Sequence, residues 1–122
     1  MSRFALTLGC IVAAAAFGAA DGRAETVEEN YKLYCVQCHG TAGTGQGINQ
    51  TAGGLAVSPR DHTNAAEMSK LSADEIRLAI SKGGDAVKKS ELMPPWDEVL
   101  SAKEIDDLVA LMGKLCKCEL AK

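Results

Sequence analysis

The part of the chain that follows residue 24 contains very few side chains large enough to fill a protein core. The whole chain has 122 residues with one Trp, two Tyr and two Phe. Both Phe4 and Phe17 lie near the N-terminus, so the rest of the chain keeps only Tyr31, Tyr34 and Trp96. A single small domain of this kind is marginally stable unless a disulfide, a metal or a prosthetic group adds buried apolar area. We therefore expect a cofactor in its interior.

Residues 1–24 have the composition of a secretory signal peptide. An arginine near the start is followed by an uncharged run over residues 4–20, and Gly22 and Ala24 occupy the −3 and −1 positions of a cleavage site. We predict a mature domain over residues 25–122 in the periplasm. An uncleaved membrane anchor is the alternative, and it is less favoured because the apolar run is short for a bilayer span. Export places four cysteines of the mature chain in an oxidising compartment.

Four stretches of the mature chain have the pattern of helices, and none has that of a strand. They are residues 26–38, 64–70 and 72–82 and a last helix that opens at Ser101. Ser72 with Glu75 and Ser101 with Glu104 have the spacing of capping boxes, and the last helix carries an apolar stripe along its length. Residues 40–54 contain six glycines and are predicted to be a loop. The fold class predicted is all-α, with about four short helices.

Cys35, Cys38 and His39 form the pattern C-x-x-C-H, which is typical of covalent haem attachment. Two cysteines three residues apart on a helical turn present both sulfurs to one side, where they reach the two vinyl groups of a haem and form thioethers. His39 then comes under the ring, where its imidazole can bind the iron. The motif predicts one haem c, which also supplies the apolar bulk that the chain lacks.

Three other interpretations of these cysteines stay open: a redox dithiol, a zinc site and a plain disulfide. A thioredoxin-type dithiol follows a strand, and no strand is predicted before the motif. A zinc site needs a second pair at matching spacing, whereas Cys116 and Cys118 are separated by one residue. We favour haem because a histidine directly follows the second cysteine in an exported chain that is short of core material.

Iron held by His39 has room for a second axial ligand, and the mature chain offers His62 and three methionines for it. Met112 lies on the apolar stripe of the last helix and is expected to pack in the core, whereas Met68 precedes a capped helix and is expected in the core or at the surface. His62 lies in a polar stretch and is expected at the surface. Met93 precedes two prolines, whose restricted backbone can aim a thioether inward. We predict His39 and Met93 as the axial pair, which raises the potential, with His62 or an open sixth position as the alternatives.

Four features occur together over about residues 27–115: the haem motif, the glycine-rich loop, the stretch Met93-Pro94-Pro95-Trp96 and a closing amphipathic helix. In this combination the chain resembles the class I c-type cytochromes. The resemblance implies a small cytochrome c fold, with the terminal helices crossing over one haem edge, and an activity of single-electron transfer. It also implies that Pro59 presents its carbonyl to the axial imidazole and that Trp96 hydrogen-bonds a haem propionate. A simple turn proline and core packing of the indole are the alternatives.

Two features depart from that family. Leu111 stands where the family often has an aromatic residue in the final helix, which predicts a looser contact with the first helix unless Tyr31 fills the gap. Cys116-Lys117-Cys118 is not part of the family pattern. We expect a C-x-C disulfide in a frayed tail, with a disulfide to a partner or to a second copy as the alternatives.

Together these observations predict a periplasmic single-electron carrier rather than an enzyme. The formal net charge of −3 supplies no basic face for nucleic acid, and the acidic side chains are expected to be a solvated exterior. Redox proteins of a respiratory chain are the expected partners, and no stable membrane insertion is expected after signal cleavage. The alternative is a haem-bearing subunit of a larger respiratory oxidoreductase, or an enzyme or gas-binding protein with a labile sixth ligand.

Overall fold

The computed structural model describes residues 25–122, so the predicted signal peptide lies outside the described residues. The described helices are α1 Val27–Tyr34, α2 Val36–His39, α3 Ile48–Thr51, α4 Ala65–Met68, α5 Ala73–Lys82 and α6 Ala102–Cys116, with a 3₁₀ turn at Asp85–Val87. Within residues 25–122 no strand forms, and an isolated bridge joins Ser72 to Ala121. The predicted all-α fold class is confirmed for this part of the chain.

Capping boxes begin the three longest helices. Those predicted at Ser72 and Ser101 form, and a third at Thr26 begins α1. In each box the cap hydroxyl accepts a hydrogen bond from a backbone N–H in the first turn, and a glutamate side chain accepts one from the backbone N–H of the cap. These pairs satisfy backbone groups that a helix end would otherwise leave without partners.

Two helices differ from the prediction. The helix expected over residues 26–38 was wrong as a continuous element, because α1 ends at Tyr34 and α2 begins at Val36, with Cys35 between them at a φ of −112°. The glycine-rich stretch was wrong as an unbroken loop, since α3 lies inside it. Residues 48–51 contain no glycine, and the Thr51 N–H donates to the Gly47 carbonyl at 2.9 Å to close a helical turn.

The core forms where α1, α4 and α5 pack on α6. Leu108 of α6 is fully buried, and Tyr31 of α1 is only 5% exposed. Leu111 is half-buried against the same core. The Tyr31 ring is therefore buried in the core against which Leu111 packs, and its filling the place of the family's aromatic residue stays a prediction. No helix of residues 25–122 combines the length and the apolar character needed to cross a membrane.

The C-terminal tail is held against the domain at two points. Cys116 and Cys118 form a disulfide with each other, so the predicted C-x-C bond forms within the chain. Beyond it, the Ala121 N–H donates to the Leu71 carbonyl at 2.9 Å, and Leu120 packs against the core. The expectation of a frayed tail was wrong, since these contacts order it.

Candidate cofactor site

A cavity of about 540 Å³ opens between the helices, and all the predicted site residues line it. They are Cys35, Cys38, His39, Pro59, Met93 and Trp96. The rest of the wall is largely apolar, with Leu71, Ile76, Ile80, Leu100 and Leu108 among its residues. Both the volume and the lining are typical of a site for an organic ligand, for which about 300–1,000 Å³ is usual.

The haem motif lies at the junction of α1 and α2, where backbone hydrogen bonds hold its turn. The His39 N–H donates to the Cys35 carbonyl at 2.9 Å. The carbonyls at the end of α2 are satisfied by the glycine-rich loop, since the Gly45 N–H donates to His39 at 2.8 Å and the Gly47 N–H donates to Cys38 at 3.0 Å. Both cysteines are half-buried free thiols, and burial, with a smaller effect of Cys38, raises the pKa of Cys35 to about 12.

Two glycines allow the loop to approach its neighbours this closely. A Cβ on Gly47 would lie 2.4 Å from the Gln37 carbonyl oxygen and 2.6 Å from the Cys38 carbonyl carbon. A Cβ on Gly45 would lie 2.4 Å from the Pro59 carbonyl oxygen, and Gly45 also has a φ of +76°. The loop thereby brings the haem motif and the segment that follows Pro59 together.

The His39 ring is held by a backbone carbonyl, but not by the one predicted. Its Nδ1 lies 3.0 Å from the carbonyl oxygen of Arg60. A carbonyl only accepts, so Nδ1 carries the proton and the lone pair of Nε2 is left for a metal. The role expected of the Pro59 carbonyl was wrong, because that oxygen lies against Gly45 and the next carbonyl along the chain meets the ring. Burial lowers the pKa of His39, which favours the neutral imidazole that metals bind.

His62 was expected at the surface and is instead 9% exposed. Its ring stacks on the His39 ring, with centroids 4.2 Å apart and planes 20° apart, and its Nδ1 shares a 3.2 Å hydrogen bond with the Tyr31 hydroxyl. Burial lowers the pKa of His62 to about 3. The prediction was wrong because the polar residues beside His62 do not determine where its own ring lies. Asp61, for example, accepts a hydrogen bond from the Thr63 N–H at 2.8 Å. Two axial ligands point at one iron from opposite sides, so a ring stacked face to face on His39 is not placed as its axial partner.

All three methionines of the described residues line the cavity. Met68 and Met112 are 1% and 3% exposed and belong to the core cluster, which confirms the packing predicted for Met112 and places Met68 in the core rather than at the surface. Met93 is half-buried in the loop between α5 and α6, where its carbonyl accepts from the Gly84 N–H at 2.9 Å. Of these three methionines, Met93 is therefore the one that lies in a loop, whereas Met68 and Met112 lie in helices.

The loop that carries Met93 is anchored a second time at Trp96. Its backbone N–H donates to the Ile80 carbonyl of α5 at 3.1 Å, and its ring packs on Tyr34 with centroids 5.0 Å apart. The packing expected as the alternative role for Trp96 is therefore present. Its hydrogen bond to a propionate stays a prediction.

The donor set and the cavity fit a covalently bound haem. Two free thiols and a neutral imidazole share one short stretch of the wall, a thioether is available from a loop, and the remaining wall is mainly apolar. The geometry does not support the zinc interpretation, since no three His, Cys, Asp or Glu side chains of residues 25–122 come together to hold a metal ion.

Comparison with known proteins points in the same direction. Residues 22–112 match the family model described as cytochrome c oxidase, cbb3-type, subunit III. The solved structure of the KustC0563 c-type cytochrome superposes with a TM-score of 0.59 at 24% sequence identity, covering 75% of this chain and 98% of that one. No curated protein matches the chain significantly. The structural likeness supports the fold, and the family match extends over most of the chain.

Proposed function

Because the chain belongs to the family of the cbb3-type cytochrome c oxidase subunit III domain, we propose that it is a periplasmic single-electron carrier. Membership of this c-type cytochrome family implies covalently bound haem and electron transfer in a respiratory setting. The proposal adds that there is one haem c, that Cys35 and Cys38 attach it, and that His39 and Met93 ligate its iron. It also adds cleavage of the signal peptide near Glu25 and redox proteins of a respiratory chain as partners.

The observation that carries the proposal is the placement of Cys35, Cys38 and His39 on the wall of one apolar cavity. When bound, haem supplies an iron that accepts and releases one electron. Cys35 and Cys38 hold the group by thioethers. His39 presents Nε2, and its hydrogen bond to the Arg60 carbonyl makes the imidazole a stronger donor. The loop anchored at Gly84 and Trp96 offers the Met93 thioether.

Electron transfer also requires a surface where a partner approaches the cavity. Val57 and Leu92 both line the cavity, yet they are 54% and 59% exposed. Both residues lie at the opening of the cavity, where a partner has to approach the group that it holds. We propose this rim as the place where redox partners dock and exchange the electron.

The test starts from the full chain, made in a host that exports and matures c-type cytochromes. We expect a periplasmic product whose mass equals the processed chain plus one haem. Its oxidised spectrum should show the weak far-red band of sulfur ligation. A product that retains residues 1–24 and stays in the membrane would contradict the location, and a mass without haem would contradict the attachment.

Three methionine variants test the axial ligand, since all three residues line the same cavity. Met93→Leu should lose the far-red band and lower the midpoint potential, because the iron loses its sulfur ligand. Met68→Leu and Met112→Leu are matched controls that exchange a buried methionine for a leucine, and both should keep the band. A Met93→Leu protein with an unchanged spectrum would refute Met93 as ligand and favour the labile sixth position.

A further inference from the structure

His62 is a buried histidine that the proposed electron transfer does not use. It lies between Tyr31 of α1 and His39 of α2, stacked on the His39 ring at a centroid distance of 4.2 Å. A buried imidazole needs a hydrogen-bond partner, because an unpaired polar group away from water is costly. The Tyr31 hydroxyl supplies that partner at 3.2 Å from Nδ1. The polar side chain is therefore accommodated in a specific orientation.

The position of His62 is restrained from two elements. Its backbone N–H donates to the Gly43 carbonyl at 2.7 Å, which holds the segment against the glycine-rich loop. Its side chain is held by Tyr31, which is 5% exposed within the α1–α6 core. The Tyr31 hydroxyl also lies 3.4 Å from the Gly40 carbonyl, just beyond the haem motif. The ring of His62 is thus tied to the core and to the backbone that carries His39.

The His39 ring needs a second restraint in addition to its hydrogen bond. The contact between Nδ1 and the Arg60 carbonyl holds one edge of the imidazole but leaves it free to tilt about that bond. A flat ring lying parallel to it, with the planes 20° apart, restricts this tilt. The orientation of a ligand ring is commonly set by groups that touch the ligand rather than the metal.

We propose that His62, held by Tyr31, is a positioning residue that sets the plane of the His39 imidazole at the haem iron. The inference rests on the proposed function, in that His39 is taken as the axial ligand. The stacked ring sets the plane, and the hydrogen bond from α1 sets the stacked ring. Replacing the His62 ring and removing its hydrogen bond to Tyr31 should therefore change the plane of the His39 ring by different amounts.

The experiment records haem-methyl proton resonances and the EPR spectrum of the oxidised holoprotein, because both respond to the plane of an axial imidazole. His62→Ala removes the stacked ring and should change the spread of the methyl shifts and broaden the low-spin EPR signal. His62→Phe restores a flat ring without the hydrogen bond to Tyr31, so it should return both measurements part of the way, to about the values of Tyr31→Phe. Tyr31→Phe keeps every ring and removes one oxygen, so it should move the resonances in the same direction as His62→Ala by a smaller amount.

Ile105→Val is the matched control for a general loss of packing. Ile105 is 3% exposed in α6 and does not line the cavity, so this variant should leave the methyl shifts unchanged. Equal shifts in Ile105→Val and His62→Ala would overturn the inference. So would a His62→Ala protein with wild-type spectra, or a His62→Phe protein displaced as far as His62→Ala.

Two further outcomes distinguish a variant that does not fold, or a wrong proposed function, from a wrong role for His62. If His62→Ala does not accumulate as a folded holoprotein, Tyr31→Phe decides, and wild-type spectra for that variant would overturn the inference. If the wild-type protein itself lacks covalent haem or the signature of His and Met ligation, the proposed function fails. A wild type that has this signature, with variants that do not differ from it, refutes the role of His62 alone.

Discussion

Replacing Gly47 by alanine tests the close contact between the glycine-rich loop and the haem motif. Gly47 has a φ of −71° and a ψ of 168°, a backbone conformation open to any residue, so alanine would not strain its own dihedral angles. The expected loss of stability in Gly47→Ala therefore comes only from the lack of room for the new Cβ. The new Cβ would lie 2.4 Å from the Gln37 carbonyl oxygen, and contacts of a Cβ below 3.0 Å are essentially never seen.

The size of the effect follows from that distance. The Gln37 carbonyl and the loop must separate by about 0.6 Å to reach 3.0 Å, and the hydrogen bond from Gly47 to the Cys38 carbonyl stretches with them. Overpacking of this kind costs about 1–3 kcal/mol. In a domain of this size each kcal/mol lowers the melting temperature by about 4–8 °C, so we expect a fall of about 4–24 °C.

Thermal unfolding of the oxidised holoprotein, followed by far-UV circular dichroism, measures this change. Gly113→Ala is the control, because a Cβ there meets nothing closer than the Cys118 carbonyl oxygen at 3.7 Å. Gly113 lies inside α6, where alanine is favoured over glycine by about 0.5–1 kcal/mol, so its melting temperature should rise by about 2–8 °C. A Gly47→Ala protein that melts at or above the wild-type temperature would show that the loop does not need the approach described.

Two further predictions concern the disulfide and acid stability. A thiol reductant should open Cys116–Cys118 without releasing the haem, and loss of the short loop should cost about 1–2 kcal/mol. This is read as a lower melting temperature than that of the intact disulfide with the iron in the same, reduced state; unchanged melting in that comparison would contradict the prediction. Hydrogen bonds from the Ser101 side chain and backbone, and then from Asn30, hold the pKa of Glu104 below its ordinary value of 4.5. Since the pKa is lower in the folded state, the carboxylate stabilises the fold above pH 4.5 and this contribution is lost as pH falls below it. Glu104→Gln should therefore lose less stability than the wild type between pH 5 and pH 3 in acid titrations, and parallel acid curves would refute the assignment.

The features that the sequence determines are those encoded within a few neighbouring residues. A capping box needs only a hydroxyl and a glutamate three residues apart, so Ser72 and Ser101 mark the starts of α5 and α6 without knowledge of the fold. The haem motif is equally local, because the spacing of Cys35, Cys38 and His39 places them on one turn. The apolar stripe of α6 follows from helical periodicity, and it is buried as predicted.

Tertiary structure decided the surroundings of the His39 ring. Successive carbonyls of an extended segment point in different directions, and the approach of Gly45 to Pro59 determines that Arg60 is the residue that meets Nδ1. His62 is buried although its neighbours are polar, because Tyr31, 31 positions away in the chain, supplies its hydrogen-bond partner. Local pattern specifies which residues form a helix or carry a ligand atom. The contacts that orient those atoms join residues far apart in the chain, so they exist only once the helices have packed.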